Sequence, residues 1–297
     1  THTRWHLWGL LMVACGAASA QASSSAGRGG PGDLPAGVLK TLRQAQVPPS
    51  ALSVLVAPVP ADTSTVQAAE PRLSHHPHNS VNPASVMKLF TTYAALSLLG
   101  PDHTWRNRVY TDGPVRDGVL HGNLIVRGSG DPKLVMERLQ ALLVQVQAAG
   151  VREVRGDMVL DRSVFDVRER SEPFDDEPLR PYNVGPDGLL LNFKAVIYKF
   201  TPDPANGHVQ VRFEPPLAGL SVTPQLPLTS TPCSDWRRQV QADFSQPLQV
   251  RFAGGYPASC GEREWPVAFP EPAQYAPRVL QAMWAGAGGQ LSGQVRY

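Results

Sequence analysis

The sequence predicts a multidomain α+β protein. Its 297 residues, 42% of them hydrophobic and 18% charged, are enough to bury more than one core. Residues 82–101 combine an apolar helical pattern with clear start and stop signals. Strand patterns follow this helix, and a small α/β unit at residues 134–161 interrupts them. This order of segments indicates several domains of mixed class.

The helix predicted for residues 82–101 has sharp boundaries. Asn82 is a good N-cap, Pro83 suits the first helical position, and Gly100-Pro101 ends the helix. Apolar residues recur at helical spacing throughout, so we expect a largely buried helix; they include Val86, Phe90, Tyr93, Leu96 and Leu99.

Ser85 and Lys88 lie in the first turn of this helix. Residues three apart share one helix face, so a hydroxyl and an amine are held side by side. The pair is a nucleophile beside a potential base. Ser-x-x-Lys occurs once in the chain. On spacing alone, a helix-start serine with an ordinary surface lysine explains it equally well.

The remaining elements follow from periodicity and from turn residues. Before the 82–101 helix, residues 36–47 predict an amphipathic helix, which Pro48-Pro49 ends, and residues 52–59 predict a strand. After it, Asp112-Gly113 and Asp117-Gly118 are turn signals that predict a β-hairpin from strands 105–110 and 119–127. The α/β unit then consists of a helix at 134–149, ended by Gly150, and a return strand at 157–160.

The second half of the chain is richer in strands. Residues 166–188 are charged and proline-rich and predict a long surface loop. Short apolar runs then predict strands at 189–193, 195–200, 209–213 and 248–252. A helix at 275–287 and a last strand at 290–297 follow.

The N-terminal residues predict export. Arg4 and His6 precede a short apolar run, and Ala18-Ser19-Ala20 fits a signal-peptidase site, so residues 1–20 are interpreted as a signal peptide. Lipidation at Cys15 is the less favoured alternative. Residues 21–34 are interpreted as a flexible lead. A periplasmic location follows, with loose membrane association left open and no transmembrane anchor expected in the mature chain.

Composition excludes one class of partner. The formal net charge is +2, and no basic run is interleaved with aromatic residues, so no nucleic acid is expected. The chain begins with Thr rather than Met, which indicates a trimmed or partial sequence.

Two cysteines, Cys233 and Cys260, remain in the predicted mature chain. In an oxidising compartment we expect them to be bonded, which stabilises by roughly 3–4 kcal/mol in the chain-entropy model. A zinc site or a reactive thiol fits less well, because the sequence shows no suitable partner for either.

Two further patterns have alternative interpretations. His75, His76 and His78 suggest a metal site, but a surface loop is favoured because no Asp, Glu or Cys joins them at ligand spacing. Residues 128–132, Gly-Ser-Gly-Asp-Pro, suggest a phosphate loop, but they lack its characteristic ending, so a tight loop entering a helix is favoured. We predict no metal and no cofactor.

Five motifs occur in order along the chain. They are Asn82-Pro83-Ala84-Ser85-Val86-Met87-Lys88-Leu89, Gly122-Asn123-Leu124, Gly130-Asp131-Pro132-Lys133-Leu134, Gly150-Val151 to Gly156-Asp157, and Asp161-Arg162-Ser163-Val164-Phe165. Together they resemble one known family, the D-alanyl-D-alanine carboxypeptidase/endopeptidase family of the penicillin-binding protein 4 type. These class C low-molecular-mass penicillin-binding proteins are serine peptidases, and the resemblance is to their N-terminal portion, from about residue 37 to 297.

The resemblance implies a domain layout. A penicillin-recognising, transpeptidase-like domain, incomplete here, would occupy residues 35–109 and 271–297. A β-rich insert at 110–133 and 205–270 would interrupt it, and an α/β insert at 134–204 would interrupt that insert in turn.

The resemblance also implies a mechanism. Ser85 would attack the carbonyl between two terminal D-alanines, or a peptide cross-link of peptidoglycan, and Lys88 would take the serine proton. Peptidoglycan stem peptides and cross-links would be the substrates, and β-lactams would be covalent inhibitors. A base role requires desolvation and a neighbouring cation to lower a lysine pKa. In the family, that cation and part of the oxyanion hole come from Ser-x-Asn and Lys-Thr-Gly motifs.

The sequence departs from the family at these later motifs. Lys-Thr-Gly is absent, and the only Ser-x-Asn, Ser80-Val81-Asn82, lies just before the helix and is interpreted as chance. We therefore expect the chain by itself to be incomplete as an enzyme. A non-catalytic cell-wall-binding or scaffold fragment is the alternative, and a secreted β-rich binding module is a third hypothesis.

Weaker site predictions concern three residues. The family layout suggests that Asp161 and Phe165 line the substrate cleft, although a capping Asp and a core Phe are the simpler interpretation. Asn183, in the long loop, is a third candidate.

Overall fold

In a computed structural model of the chain, residues 33–59, 70–166, 173 and 175–297 are described. The predicted signal peptide and nearly all of the predicted flexible lead lie outside these residues. The chain divides into two compact units, Thr1–Leu98 and Leu99–Tyr297.

The described part of the first unit is small and combines two α-helices with one two-stranded sheet. It contains α1 (Ala36–Gln44), β1 (Val54–Val56), β2 (Leu73–His75) and α2 (Met87–Leu99), whose last residue begins the second unit. β1 and β2 pair antiparallel, with Val54 opposite His75. A 3-10 turn, Ala84–Val86, leads directly into α2. The predicted helix of residues 82–101 is therefore confirmed as one 3-10 turn followed by an α-helix.

The second unit contains four sheets and three helices in its described residues, which makes it α+β. Its elements are β3 (Arg108–Thr111), β4 (Val115–Arg116), β5 (Val119–Leu120), β6 (Leu124–Arg127), α3 (Met136–Ala148), β7 (Glu153–Val154), β8 (Met158–Asp161), β9 (Ala195–Asp203), β10 (His208–Glu214), β11 (Ser221–Val222), β12 (Gln225–Thr229), α4 (Trp236–Gln239), β13 (Ala242–Asp243), β14 (Gln249–Phe252), β15 (Tyr256–Pro257), β16 (Arg263–Ala268), α5 (Pro272–Gly286), β17 (Gln290–Leu291) and β18 (Val295–Arg296).

The predicted α/β unit is confirmed by its strand pairing. β6 runs parallel to β8 with Leu124 opposite Met158 and Arg127 opposite Asp161, and α3 lies between them in sequence. Parallel strands need such a crossover connection. α3 turns one apolar face inward, where Leu139, Leu143 and Val146 are buried. β18 then adds to the other side of β8, and β17 adds to β7, both in parallel register.

The largest sheet has the strand order β15-β12-β10-β9-β16. An aromatic cluster packs on it, in which Phe200 stacks on Tyr256 with ring centroids 5.5 Å apart and meets Trp236 and Phe252 edge to face. Such pairs add to the burial energy of the rings by about 0.5–1.5 kcal/mol each. The predicted disulfide is confirmed beside this cluster, with an S–S distance of 2.06 Å between Cys233 and Cys260.

Three strand predictions are wrong in detail. Residues 119–127 form two strands, β5 and β6, because the chain turns at Gly122-Asn123, where the Asn123 amide and backbone N–H both bond Asp112. Residues 290–297 likewise form two strands, β17 and β18. Residues 189–193 form no strand; they lead into a 3-10 turn, Asn192–Lys194, whose three residues all have positive φ.

Candidate active site

Ser85 and Lys88 are brought together as the spacing predicts. Lys88 Nζ donates a hydrogen bond to Ser85 Oγ over 2.9 Å. Ser85 lies in the 3-10 turn, and Lys88 lies in the first turn of α2. The hydroxyl therefore lies at a helix N-terminus, where the helix dipole favours a developing negative charge.

A local turn fixes the entry to this helix. Asn82 Oδ1 accepts a hydrogen bond from the Ala84 backbone N–H over 2.9 Å, and Val86 N–H donates to the Pro83 carbonyl over 2.9 Å. Ala84 has a φ of 45°, in the left-handed region that an alanine rarely adopts. The N-cap position falls on Pro83, so the N-cap predicted at Asn82 is wrong by one residue. The Asn82 side chain instead makes this hydrogen bond to the backbone two residues along the chain. It holds a strained residue directly before Ser85.

The burial predicted for this helix is wrong. No residue of α2 is buried, and Phe90 and Tyr93 are 65% and 75% exposed. A helix that is apolar on all sides predicts a covering layer, but the pattern cannot specify which segment supplies it. Within the described part of the first unit, no segment buries a residue of α2. Ser85 and Lys88 are consequently exposed as well, without the desolvation that a lysine base requires.

Asp161 lies at the end of β8, in the second unit. Its Oδ1 accepts a hydrogen bond from the Ser163 backbone N–H over 2.9 Å, and its Oδ2 lies 3.4 Å from Arg127 Nε. The hydrogen bonds from Ser163, followed by the charge of Arg127, hold the pKa of Asp161 below its ordinary value. Asp161 is therefore an ionised carboxylate that caps the loop leading to Phe165.

Phe165 is 43% exposed, so it is not a core residue. Its ring lies over Gly130, where a side-chain Cβ would meet Phe165 Cζ at 2.6 Å. Gly130 has a φ of 76°, and its N–H donates to the Gly188 carbonyl over 2.9 Å. The tight loop favoured for residues 128–132 is confirmed, and the Cζ end of the Phe165 ring lies against it at Gly130.

Asn183 has a structural role within its loop. Its amide donates to Asp175 Oδ1 over 2.6 Å and to the Glu177 carbonyl over 3.0 Å. Tyr182 O–H donates to the other oxygen of Asp175 over 2.6 Å. These bonds fold the loop on itself and engage the Asn183 amide nitrogen and the Tyr182 hydroxyl within it.

One buried charged cluster was missed from the sequence. Lys194 Nζ lies 2.6 Å from Asp187 Oδ2, and Arg162 Nη1 lies 3.5 Å from the same oxygen. The Arg162 guanidinium also stacks over the Tyr297 ring at 4.2 Å. Burial, followed by the nearby Asp187 charge, raises the pKa of Tyr297 to about 12. The cluster lies beside three residues with positive φ, Asn192–Lys194. These backbone angles cannot be predicted from the residue types, so the sequence gives no local sign of the cluster.

Metal binding has no support in the described residues. They contain no group of three His, Cys, Asp or Glu side chains placed to hold a metal ion. His75 lies in β2, its ring stacks on His76 with centroids 4.1 Å apart, and its Nε2 lies 3.1 Å from the Pro49 carbonyl oxygen. Nor does any described helix combine the length and apolar character needed to cross a membrane.

Comparison with known proteins identifies the family to which this chain belongs. The family model of the D-Ala-D-Ala carboxypeptidase 3 (S13) family matches residues 50–297, which include Ser85, Lys88 and the whole second unit. The match covers more than half of the chain. The chain therefore belongs to this family, and the family resemblance is confirmed.

Two curated relatives are similar over shorter segments. A D-alanyl-D-alanine carboxypeptidase, DacB, of Haemophilus influenzae is 39% identical over 87 residues, which are 29% of this chain and 18% of the relative. A D-alanyl-D-alanine carboxypeptidase of an Actinomadura species is 43% identical over 99 residues, 32% of this chain and 18% of the relative. The matched segments are thus small parts of the relatives' lengths.

A solved structure shows the same fold. The crystal structure of penicillin binding protein 4 (dacB) from Haemophilus influenzae aligns with a TM-score of 0.55 and 22% identity, covering 73% of this chain. The alignment covers 48% of that protein, so this chain spans about half of its length. A structure of the same protein complexed with a β-lactam aligns with a TM-score of 0.48 and carries no weight for the fold. The multidomain α+β fold class is confirmed.

Proposed function

We propose that this chain belongs to a serine-type D-Ala-D-Ala carboxypeptidase and DD-endopeptidase of peptidoglycan, with Ser85 as nucleophile and Lys88 as base. One observation carries the proposal: Lys88 Nζ and Ser85 Oγ are 2.9 Å apart at a helix start, inside the segment that the family model matches. The geometry meets the requirement that a nucleophile and its base lie within hydrogen-bond reach.

The proposed reaction has two steps. Ser85 Oγ attacks the carbonyl carbon between two D-alanines, its proton passes to a neutral Lys88 amine, and the C–N bond breaks. The terminal D-alanine leaves with that proton on its amine, and an ester joins the remaining peptide to Ser85. Water then cleaves the ester and restores the serine hydroxyl. A β-lactam would form the same ester by opening its ring amide.

The exposed site limits the expected rate. Lys88 is exposed, and the sequence contains no Lys-Thr-Gly. The loss of a single oxyanion donor typically slows a reaction by about 10²–10³. We therefore expect slow acylation by the chain alone. The same exposure favours the alternative, a non-catalytic cell-wall-binding fragment in which Ser85 forms no ester.

Location and layout extend the proposal. Residues 1–20 would act as a signal peptide and direct the protein to the periplasm, where peptidoglycan substrates lie and a disulfide forms. The domain boundaries drawn from the sequence stay a prediction.

Covalent labelling with a fluorescent penicillin tests the proposed function. We expect slow labelling of the wild-type chain, no labelling of Ser85→Ala, and labelling slowed by about 10²–10⁴ in Lys88→Ala, the usual range for loss of an acid–base group. Ser80→Ala and Lys40→Ala are matched controls, because both residues are exposed and lie outside the Ser-x-x-Lys pair. Absence of labelling in a chain with native circular dichroism would contradict the enzyme and support the binding fragment.

A further inference from the structure

The second unit contains a basic cleft of about 400 Å³. Three arginines line it: Arg106 from the segment before β3, Arg108 at the start of β3, and Arg127 at the end of β6. None of the described residues that line this cleft is acidic. All of them fall within residues 99–297, so the cleft depends on one unit alone.

The charge of the cleft is only partly neutralised. Arg127 pairs with Asp161, with Nε and Oδ2 separated by 3.4 Å. Among the described residues, neither Arg106 nor Arg108 forms an ion pair, and both are exposed. Two guanidinium groups therefore face the same cleft with their hydrogen-bond donors available. Guanidinium forks match the geometry of carboxylate and phosphate groups.

The wall of the cleft is fixed by hydrogen bonds. Asn107 Oδ1 accepts from Ser129 N–H over 3.1 Å and from Ser129 Oγ–H over 3.2 Å, and Asn107 Nδ2 donates to Asp131 Oδ2 over 3.3 Å. Asn107 lies between Arg106 and Arg108 in sequence, so these bonds also anchor the backbone that carries both arginines. The cleft is thus held open by residues other than the arginines themselves.

An aromatic surface adjoins the charged groups. Trp105 lines the cleft, is 43% exposed, and meets His103 edge to face with ring centroids 4.9 Å apart. A cleft with this volume and an indole wall is larger than one inorganic anion requires. It suits a chain molecule that carries an anionic group beside carbon-rich segments.

From these features we infer that the cleft binds a carboxylate of a peptidoglycan stem peptide through Arg106 and Arg108. The ligand class rests on the proposed function, because that function supplies a peptide with free carboxylates. The existence of the basic cleft does not depend on the proposed function. A phosphate group presents similar oxygens to a guanidinium fork. The indole wall favours the peptide, and the experiment separates the two sources.

Equilibrium binding in the Ser85→Ala chain tests the inference without turnover. The probes are a fluorescent soluble stem tetrapeptide with free carboxylates, the same peptide with its carboxylates amidated, and inorganic phosphate as competitor. We expect the double variant Arg106→Gln/Arg108→Gln to weaken binding of the free peptide by about tenfold or more, because two charge-assisted contacts are lost. Binding should also weaken with added salt.

The matched control is Arg116→Gln/Arg263→Gln, which removes the same charge from two exposed strand positions outside the cleft. We expect it to bind the free peptide within about twofold of the parent chain. Arg106→Lys/Arg108→Lys keeps the charge but removes the forks and should lose part of the affinity. The unfolding midpoint of each variant identifies any misfolded protein.

Three results would overturn the inference. They are equal loss of affinity in the cleft and control variants, equal binding of the free and amidated peptides, and arginine-dependent binding of phosphate without binding of the peptide. Because penicillin labelling reports only on Ser85, an unlabelled chain that binds the peptide through the arginines would contradict the proposed function and not the cleft.

Discussion

Lys194 Nζ lies 2.6 Å from Asp187 Oδ2, and both side chains are almost completely buried, with 7% and 1% exposed. That oxygen makes no hydrogen bond of normal geometry, so its charge is balanced by ionic contacts with Lys194 and with Arg162. Asp187 Oδ1 accepts from the Leu189 N–H over 3.0 Å. The pair thus ties the long loop to the strained turn that precedes β9.

Removing one partner of this pair should be strongly destabilising. We expect Lys194→Met to lower the free energy of unfolding by about 3–5 kcal/mol, because Asp187 would remain buried with too little positive charge beside it. Lys194→Met/Asp187→Asn should recover most of this loss, because no buried charge remains at the pair. Arg162 loses its ionic contact with Asp187, but its side chain is 42% exposed and stays solvated. Urea unfolding followed by tryptophan fluorescence measures both changes.

Lys199 offers the matched control for that prediction. It pairs with Glu214 over 2.9 Å but is 38% exposed. Exposed pairs are usually worth about 0–1 kcal/mol, so Lys199→Met should cost little. If Lys194→Met and Lys199→Met lowered the free energy of unfolding equally, the buried pair would contribute no more to stability than the exposed pair.

The attachment of the last strand should depend on pH. Arg296 Nε lies 2.6 Å from Asp157 Oδ2, and Gln294 N–H donates to Asp157 Oδ1 over 3.0 Å. The hydrogen bond from Arg296 holds the pKa of Asp157 below its ordinary value of 3.8. A carboxylate with a depressed folded-state pKa stabilises fully above the ordinary value, and this contribution is lost as pH falls through the folded-state pKa.

Hydrogen exchange of residues 290–297 measures this dependence. After correction for intrinsic exchange rates, we expect protection of β18 to fall as the pH is lowered from 5 through the region below 3.8. Asp157→Asn should give weaker protection and remove the pH dependence. Asp243→Asn is the control, since the pKa of Asp243 is also lowered, by Ser245, but Asp243 lies on β13. A pH response that survives in Asp157→Asn would exclude this ion pair as its cause.

The contact between Gly130 and Phe165 should appear in a comparison of two glycine substitutions. Gly130 and Gly207 have φ values of 76° and 69°, so alanine at either position meets the same left-handed backbone penalty, about 1–2 kcal/mol. Only at Gly130 does the added Cβ also meet the Phe165 ring; at Gly207 nothing described lies within 4 Å. We expect Gly130→Ala to destabilise more than Gly207→Ala.

A double substitution isolates the ring contact. Gly130→Ala/Phe165→Ala should lose less stability than the sum of its single substitutions, because the clash disappears with the ring. Unfolding midpoints of the four chains measure this coupling. Strict additivity would show that the Phe165 ring moves aside freely, which would leave it available as a substrate contact.

Local pattern predicted most of the helices and the α/β unit. The apolar face of α3 is legible because Leu139, Leu143 and Val146 recur at helical spacing, and Gly150 marks the end of that helix. The serine–lysine contact was predictable for the same reason: a spacing of three residues on a helix fixes which side chains meet.

Long-range relationships could not be predicted in this way. Asp187 and Lys194 occur in or beside a polar loop, and no local pattern distinguishes a buried charged pair from two solvated residues. The basic cleft gathers Arg106, Arg108 and Arg127 through the pairing of β3 with β6, which depends on strand register. The exposure of α2 depends on whether another segment packs against it, and the sequence of the helix itself cannot show which segment that is.

The exposure of α2 leads to a final prediction, because sequence and structure disagree there most directly. Phe90 is 65% exposed on α2, whereas Leu139 is 1% exposed on α3. Phe90→Ala should therefore change the free energy of unfolding by less than about 1 kcal/mol, while Leu139→Ala should lower it by about 2–5 kcal/mol. Urea unfolding gives both values, and binding of a hydrophobic dye should fall in Phe90→Ala. A cost at Phe90 equal to that at Leu139, with no change in dye binding, would show that α2 is covered in solution and would place Lys88 in the desolvated setting that a base requires.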